Sequence, residues 1–182
     1  MVYVFLADGF EEIEFIAPVD IMRRAEIEVC TVGIGKKTVT SSHGIRIESD
    51  LIDSELTNED FDMIVLPGGM PGASNLDKSE TVDRYIHMAI EKGKFIAAIC
   101  AAPFVIGKRD VLSGKNAVCF PGYESELKGA NVLDKPVVKD GKIITAKGPG
   151  VSLEFGFELV RCLKDLETSK NIRKSMQCID LI

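Results

Sequence analysis

Among the groups in this 182-residue chain that could do chemistry, one cysteine is set apart by its surroundings. It lies in Ala97-Ala98-Ile99-Cys100-Ala101-Ala102-Pro103. An apolar strand pattern runs directly into a helical one there, with small residues on both sides of the thiol. A nucleophile elbow needs this arrangement, because the turn is tight and bulky neighbours would block it. A cysteine so placed would sit at a helix N-terminus, where the positive end of the dipole and free N–H groups favour a thiolate. Most free cysteines are small buried packing residues, and spacing alone leaves both readings of Cys100 open.

Two further stretches could cooperate with it. Pro67-Gly68-Gly69 ends another apolar run, and glycines there let backbone N–H groups approach a ligand or an oxyanion. The stretch lacks the spacing and the lysine of a phosphate-binding loop. Glu11, Glu12 and Glu14 follow the first apolar run. Three carboxylates at a helix start usually offset its dipole on a solvated face. Residues 11 and 14 share a helix face while residue 12 points elsewhere, so at least one of them could turn inward toward Cys100.

The remaining candidates are weaker. Cys30, Cys119, Cys162 and Cys178 bring the cysteine count to five, an odd number with no Cys-x-x-Cys pair. With only His43 and His87 beside them, a disulfide framework or structural zinc site is not expected, and no metal or cofactor is implied. Cys119 could resolve an oxidised Cys100, although buried packing is its default role. His87 reads as a solvent-facing helix residue. His43 reads as a turn or dimer-contact residue rather than a base.

The elements that must position these groups alternate along the chain. Strand patterns at 2–7, 27–32, 62–66 and 95–99 are short buried runs. Helical patterns follow at about 11–25, 79–91, 101–106 and 152–163, the first interrupted by Pro18, which cannot donate an interior helical hydrogen bond. Segments 38–40 and 45–47 flank Ser-Ser-His-Gly as a hairpin, and 137–139 and 142–145 bracket Asp140-Gly141 as another. Strands alternating with helices predict an α/β fold with a mostly parallel sheet covered on both faces. Ligands in such folds bind beyond the carboxyl ends of the strands, which selects the loops at 8–14, 67–75 and 99–103.

Composition bounds the function. With 46% hydrophobic and 27% charged residues the chain reads as one globular domain, 1–182. A net charge of −6 with no basic stripe argues against nucleic acid. No apolar run reaches the roughly 18 residues of a membrane span, and the first lacks a basic leader, so a cytoplasmic location is expected.

Five segments together carry a resemblance: Ala-Asp-Gly-Phe-Glu-Glu-Ile-Glu (7 to 14), Pro-Val-Asp-Ile-Met-Arg-Arg-Ala (18 to 25), Val-Leu-Pro-Gly-Gly (65 to 69), Ala-Ala-Ile-Cys-Ala-Ala-Pro (97 to 103) and Gly-Pro-Gly-Val-Ser-Leu-Glu-Phe (148 to 155). Over nearly its whole length the chain is similar to the ThiJ/PfpI superfamily, close to the Parkinson disease protein seven (DJ-one) branch. The resemblance implies a single-domain flavodoxin-like (class I glutamine amidotransferase-like) sheet. It implies Cys100 as the functional residue, Glu14 as the carboxylate contacting it, and Gly69 and Ala101 as backbone donors beside it. It also implies a homodimer built partly through the first helix, with Ile13 and Arg24 near the interface. Two departures accompany the matches. Animal relatives carry a histidine where this chain has Phe120, which cannot transfer a proton, and His43 replaces an arginine often found in relatives.

Simple electrostatics then constrains the Cys100–Glu14 pair. Two unit charges about 4 Å apart repel by about 4 kcal/mol at an effective dielectric near 20, or roughly 3 pKa units. Both groups are not expected to be charged together near neutrality. The arrangement expected is a Cys100 thiolate receiving a hydrogen bond from protonated Glu14. The implied function is an oxidative-stress protein whose Cys100 reacts with oxidants or with small carbonyls. The alternatives are a glyoxalase or deglycase using Cys100 as nucleophile and a redox-regulated holdase chaperone. No His-Asp pair beside Cys100 is visible, which argues against a peptidase.

Overall fold

The computed structural model describes residues 1–57 and 60–178; residues 58, 59 and 179–182 of the expected 1–182 domain lie outside the described residues. The first strand, β1 (Val2–Leu6), is buried at every position. A strand can be apolar on both faces only when layers cover both. Accordingly β1 pairs in parallel with β2 (Val29–Gly33) on one edge and with a later strand, Met63–Leu66, on the other. A hairpin of β3 (Thr38–Thr40) and β4 (Arg46–Glu48) and a short edge strand β5 (Leu51–Ile52) intervene, making Met63–Leu66 β6. The sheet continues through β7 (Phe95–Ile99). A separate parallel pair, β8 (Asn116–Ala117) and β9 (Asn131–Val132), precedes the closing hairpin of β10 (Val137–Asp140) and β11 (Ile143–Ala146).

The seven-stranded order is β10-β11-β7-β6-β1-β2-β5, with β10 the antiparallel member. The mostly parallel, flavodoxin-like sheet expected from the sequence is thus present. Strand β2 begins two residues later than its apolar run, and the two-residue strands β5, β8 and β9 carry too short a pattern to be read from sequence.

Helices cover both faces. Tyr3 and Phe5 point toward α2 (Gly72–Asp77), α3 (Glu80–Glu91) and α4 (Pro103–Gly107), where Tyr85 meets the rings of Tyr3, Phe5 and Phe61 at 5.4–5.5 Å. Helix α3 buries Val82, Tyr85, Ile86 and Ala89, one stripe at helical spacing, and Ser79 caps it by accepting the Val82 N–H. On the other face Val2, Val4 and Leu6 meet α1 (Glu12–Arg24) and α5 (Ser152–Leu163).

A last helix, α6 (Leu166–Ser175), is capped by the Asp165 carboxylate on the Thr168 N–H at 2.7 Å. It escapes sequence reading because it buries little and so lacks an apolar stripe. None of the helices is long and apolar enough to cross a membrane, among the described residues.

Helix α1 runs through Pro18, and α5 packs closely on it there. A Cβ on Gly156 would lie 2.7 Å from Ile21 Cδ1 and 3.1 Å from Pro18 Cα. The missing side chain lets the two helices touch, which fixes the height of α1 over the sheet. Gly156→Val should therefore destabilise the fold by about 2 kcal/mol through overpacking. Denaturant unfolding should show a lower midpoint with an unchanged slope.

Candidate active site at the β7 elbow

Cys100 follows β7 directly and has φ +64°, a left-handed conformation that non-glycine residues seldom adopt. Its backbone is held from two sides. The Cys100 N–H donates to the Ala146 carbonyl at 2.9 Å, and its own carbonyl accepts from the Phe120 N–H at 2.8 Å. Ala101 and Ala102 are buried beside it, where larger side chains would clash with the turn. The elbow expected from the small-residue pattern is therefore present, with one difference. Helix α4 starts only at Pro103 and has five residues, so local N–H groups, rather than a long helix dipole, face the sulfur.

Glu14 reaches this elbow from the first turn of α1 and is fully buried. Its Oε2 accepts the Gly68 N–H at 2.9 Å. A Cβ on Gly68 would lie 2.6 Å from Glu14 Oε2 and 2.7 Å from Cys100 Cβ, so only glycine fits between the two acids. Gly69 has φ +83°, and a side chain there would strike the backbone of Gly9 and Glu11. The N–H groups of Ala101 and Gly69 both donate toward the Cys100 sulfur. The structure thus brings together all four residues singled out from the sequence: Cys100, Glu14, Gly69 and Ala101.

Burial pushes the Glu14 carboxyl up to about 7, against hydrogen bonds from Cys100 and Gly68 that favour its charge. Burial, then the charge of Glu14, pushes the Cys100 thiol up to about 12. The contact pair therefore titrates as a unit, losing one proton near neutrality and holding the second far above it. The thiol is raised rather than lowered, against the thiolate expected from the sequence, because burial outweighs the N–H groups that face the sulfur. One carboxyl oxygen, Glu14 Oε1, is buried without a well-formed hydrogen bond among the described residues. A buried acceptor in that condition is stabilised by a proton or by a donor brought to it.

The other early carboxylates serve different ends. Glu12 turns away from Cys100 and clasps the β3–β4 hairpin. Its Oε1 accepts from Ser41 Oγ at 2.6 Å and from the His43 N–H at 3.1 Å, and its Oε2 lies 2.9 Å from His43 Nδ1. Burial alone would raise Glu12, but the hydrogen bonds from His43 and Ser41 outweigh it and bring Glu12 down to about 2. The same contact raises His43. Spacing showed only that residue 12 would point away from residues 11 and 14; its partners, thirty residues distant, carry no local signal.

Glu11 stands between, its N–H donating to the Gly68 carbonyl at 3.0 Å and its Oε2 accepting from Ser42 Oγ at 3.2 Å. Ligand-type atoms of Glu11, Glu12 and His43 lie within 4.8 Å of one another, the grouping that could hold a metal among the described residues. Their hydrogen bonds with Ser41 and Ser42 already account for that cluster.

Cys119 is buried in the core on the α3 side of the sheet, whereas Cys100 packs against the α1 side. All five cysteines are free. Burial pushes Cys119 up to about 11, so its environment is that of a packing residue.

Comparison with known proteins agrees with this fold. Residues 1–162 match the DJ-1/PfpI family. The chain belongs to that family. It is 38% identical over 176 residues to Protein dj-1beta of Drosophila melanogaster, covering 95% of this chain and 94% of that one. The crystal structure of Drosophila melanogaster DJ-1beta superposes with a TM-score of 0.94 at 35% identity, covering 98% of each chain. Oxidized Toxoplasma gondii DJ-1 gives a TM-score of 0.93 at 32% identity over 97% of each chain. The glutathione-independent glyoxalase DJR-1.2 of Caenorhabditis elegans is 30% identical over 168 residues, covering 91% of this chain and 89% of that one. Against the DJ-1/PfpI pattern, Phe120 stands where animal relatives were expected to carry histidine, and it is bonded through its backbone to Cys100.

The raised Glu14 pKa has a consequence for stability. Its folded value, about 7, lies above the ordinary 4.5. The native state therefore favours the protonated form, a contribution fully present below about pH 4.5 and lost as pH rises through about 7. The full loss is about 3 kcal/mol. Glu14→Gln, which cannot ionise and still accepts from Gly68, should melt above wild type at pH 8. The gap should close toward pH 4.5 in thermal scans.

Proposed function

We propose that this protein is an oxidative-stress-related DJ-1/PfpI protein that works through Cys100, tuned by Glu14, on small electrophiles. These are oxidants and 2-oxoaldehydes or their adducts. One observation carries the reading: a thiol on a strained elbow, in contact with a buried carboxyl that ionises near neutrality and whose Oε1 has no well-formed hydrogen bond among the described residues. In the reactive form the proton rests on Glu14 and the charge on sulfur, where the Gly69 and Ala101 N–H groups stabilise it.

With a 2-oxoaldehyde, the Cys100 sulfur adds to the aldehyde carbon. A C–S bond forms, the C=O π bond breaks, and the proton ends on oxygen as a hemithioacetal. Glu14 then removes the proton on that carbon and returns one to the neighbouring carbon, while the hydroxyl proton moves between the two oxygens. The product is a 2-hydroxyacyl thioester, and water releases the 2-hydroxy acid and the free thiol. The redox change is internal to the substrate, so no cofactor is required. One carboxyl supplies both proton transfers, which removes the need for a histidine at position 120. The name of the Caenorhabditis elegans relative as a glutathione-independent glyoxalase supports this chemistry.

With a peroxide, the Cys100 sulfur attacks one peroxide oxygen, the O–O bond breaks and the other oxygen leaves as water or an alcohol, giving a sulfenic acid. A second peroxide carries it to the sulfinate in the same way, and protonated Glu14 is placed to donate a hydrogen bond to a sulfinate oxygen and hold oxidation at that stage. That the Toxoplasma gondii structure is of an oxidized DJ-1 supports this branch.

Purified protein should convert methylglyoxal to lactate, with a rate that rises with pH through about 7 as the pair loses its first proton. Cys100→Ser should abolish turnover, and Glu14→Gln should reduce it by about a hundredfold or more. Peroxide should add about 32 Da, two oxygens on the cysteine oxidation ladder, at Cys100 in wild type. Full turnover in Cys100→Ser, seen alongside oxidation spread over the other cysteines, would sink the proposal.

We extend the reading to assembly. Helix α1 leaves Ile13 and Ile16 about half exposed, at 55% and 46%. Apolar side chains one turn apart suit a homodimer seam through α1. Ile13→Asp should shift the sedimentation coefficient from dimer to monomer while the monomer fold survives.

A further inference from the structure

The mouth of the Cys100 site has a composition that the chemistry above does not use. Phe120 is 42% exposed, has no aromatic partner among the described residues, and belongs to neither side of the core. Its N–H is bonded to the Cys100 carbonyl. Its ring lies over Gly148, where a Cβ would come within 3.1 Å of Cδ2. Gly148 lies two residues beyond Ala146, whose carbonyl takes the Cys100 N–H. The ring therefore stands at the rim of the elbow, seated on a bare glycine. Met70, which directly follows Gly69, is turned to the helix that begins beside it, its thioether accepting the Ser74 hydroxyl at 3.6 Å. One large apolar side chain, Phe120, thus borders the approach to a polar, ionisable pair.

The charges around that approach are negative. Glu11 lies at the rim, Glu12 lies behind it, and the Glu14–Cys100 pair carries a charge above about pH 7. Three nearby cations are held by carboxylates: Lys36 by Asp8, His43 by Glu12, and Lys147 by Asp134. A carbonyl compound bearing a carboxylate therefore meets net repulsion from the acidic groups at the rim. An aryl or branched alkyl group meets the Phe120 ring, which favours apolar contact.

We propose that Phe120 makes this site selective for neutral 2-oxoaldehydes with an aromatic or bulky apolar substituent, over methylglyoxal and over carboxylate-bearing carbonyls. The proposal rests on the reading of Cys100 as the reacting nucleophile and specifies its substrate class. Phe120 is a specificity residue here. Its ring contacts the substituent while the proton transfers stay with Glu14.

The test uses two independent readouts on wild type, Phe120→Ala and Phe120→Tyr. The first is kcat/KM for phenylglyoxal, methylglyoxal and glyoxylate. The second is the rate of Cys100 alkylation by N-phenylmaleimide, N-methylmaleimide, iodoacetamide and iodoacetate, each divided by its rate with a free thiol and read by peptide mass. Wild type should prefer the phenyl over the methyl reagent in both. Phe120→Ala should reduce that preference by about tenfold, and Phe120→Tyr, which keeps the ring, should restore it. Iodoacetate should lag iodoacetamide in all three proteins. An unchanged phenyl-to-methyl alkylation ratio in Phe120→Ala, or iodoacetate as fast as iodoacetamide in wild type, overturns the proposal whatever the turnover. A shifted alkylation ratio with no turnover of any 2-oxoaldehyde overturns the glyoxalase chemistry and supports the apolar mouth on its own.

Discussion

The contact between two buried acids, the Cys100 thiol and the Glu14 carboxyl, is the constraint around which this molecule is arranged. Neither group is at ease there: burial raises both, and the charge on one raises the other further. A pair of this kind holds a single charge over a wide pH range, because a second would add several kcal/mol of repulsion in a poorly solvated place. The same physics that makes the pair unfavourable makes it useful. A carboxyl that ionises near neutrality beside a thiol can exchange protons with it, and its Oε1, buried without a well-formed hydrogen bond among the described residues, can take a donor that a reaction brings.

Much of the surrounding structure serves that contact. Gly68 allows it by having no side chain between the acids, and supplies the N–H that anchors Glu14. The elbow is pinned by the backbones of Ala146 and Phe120, so the left-handed Cys100 cannot relax without breaking hydrogen bonds from two other segments. Helix α1 carries Glu14 and is held down by α5 at Gly156, while Glu12 on the next turn face ties the helix start to the β3–β4 hairpin. Two glutamates of one helix turn, Glu12 and Glu14, thus end with opposite pKa shifts. Glu14 is raised because burial dominates; Glu12 is lowered because hydrogen-bond donors do.

The placement of the site also follows from topology. The sheet order puts β6 and β7 side by side next to β1, and the three loops that leave their carboxyl ends meet above the sheet. Glu14 comes from the first loop and helix, Gly68 and Gly69 from the second, and Cys100 and Ala101 from the third. This is the crevice where open α/β sheets bind ligands. The chain belongs to the DJ-1/PfpI family, and at the edge of this crevice it carries Phe120, a side chain that cannot transfer a proton.

By itself the sequence determined the alternation of buried strands with helices, the two hairpins, the elbow around Cys100, and the facts that residues 11 and 14 share a face and residue 12 does not. These are local matters: period, small-residue crowding and turn chemistry act over a few neighbours. It also carried enough of the family's segments to single out Glu14, Gly69 and Ala101 beside Cys100. Only the tertiary structure decided that Glu12 would grip Ser41 and His43, that Gly68 would be the spacer between the acids, and that α4 would begin too late for its dipole to govern the thiol. It alone showed α6, whose cap is legible but whose face is too polar to betray it, and the short strands β5, β8 and β9. The reason is common to all of these. Burial, and the balance between desolvation and hydrogen bonding that sets a pKa, depend on atoms from segments far apart in the chain, and no local pattern records which segments will meet.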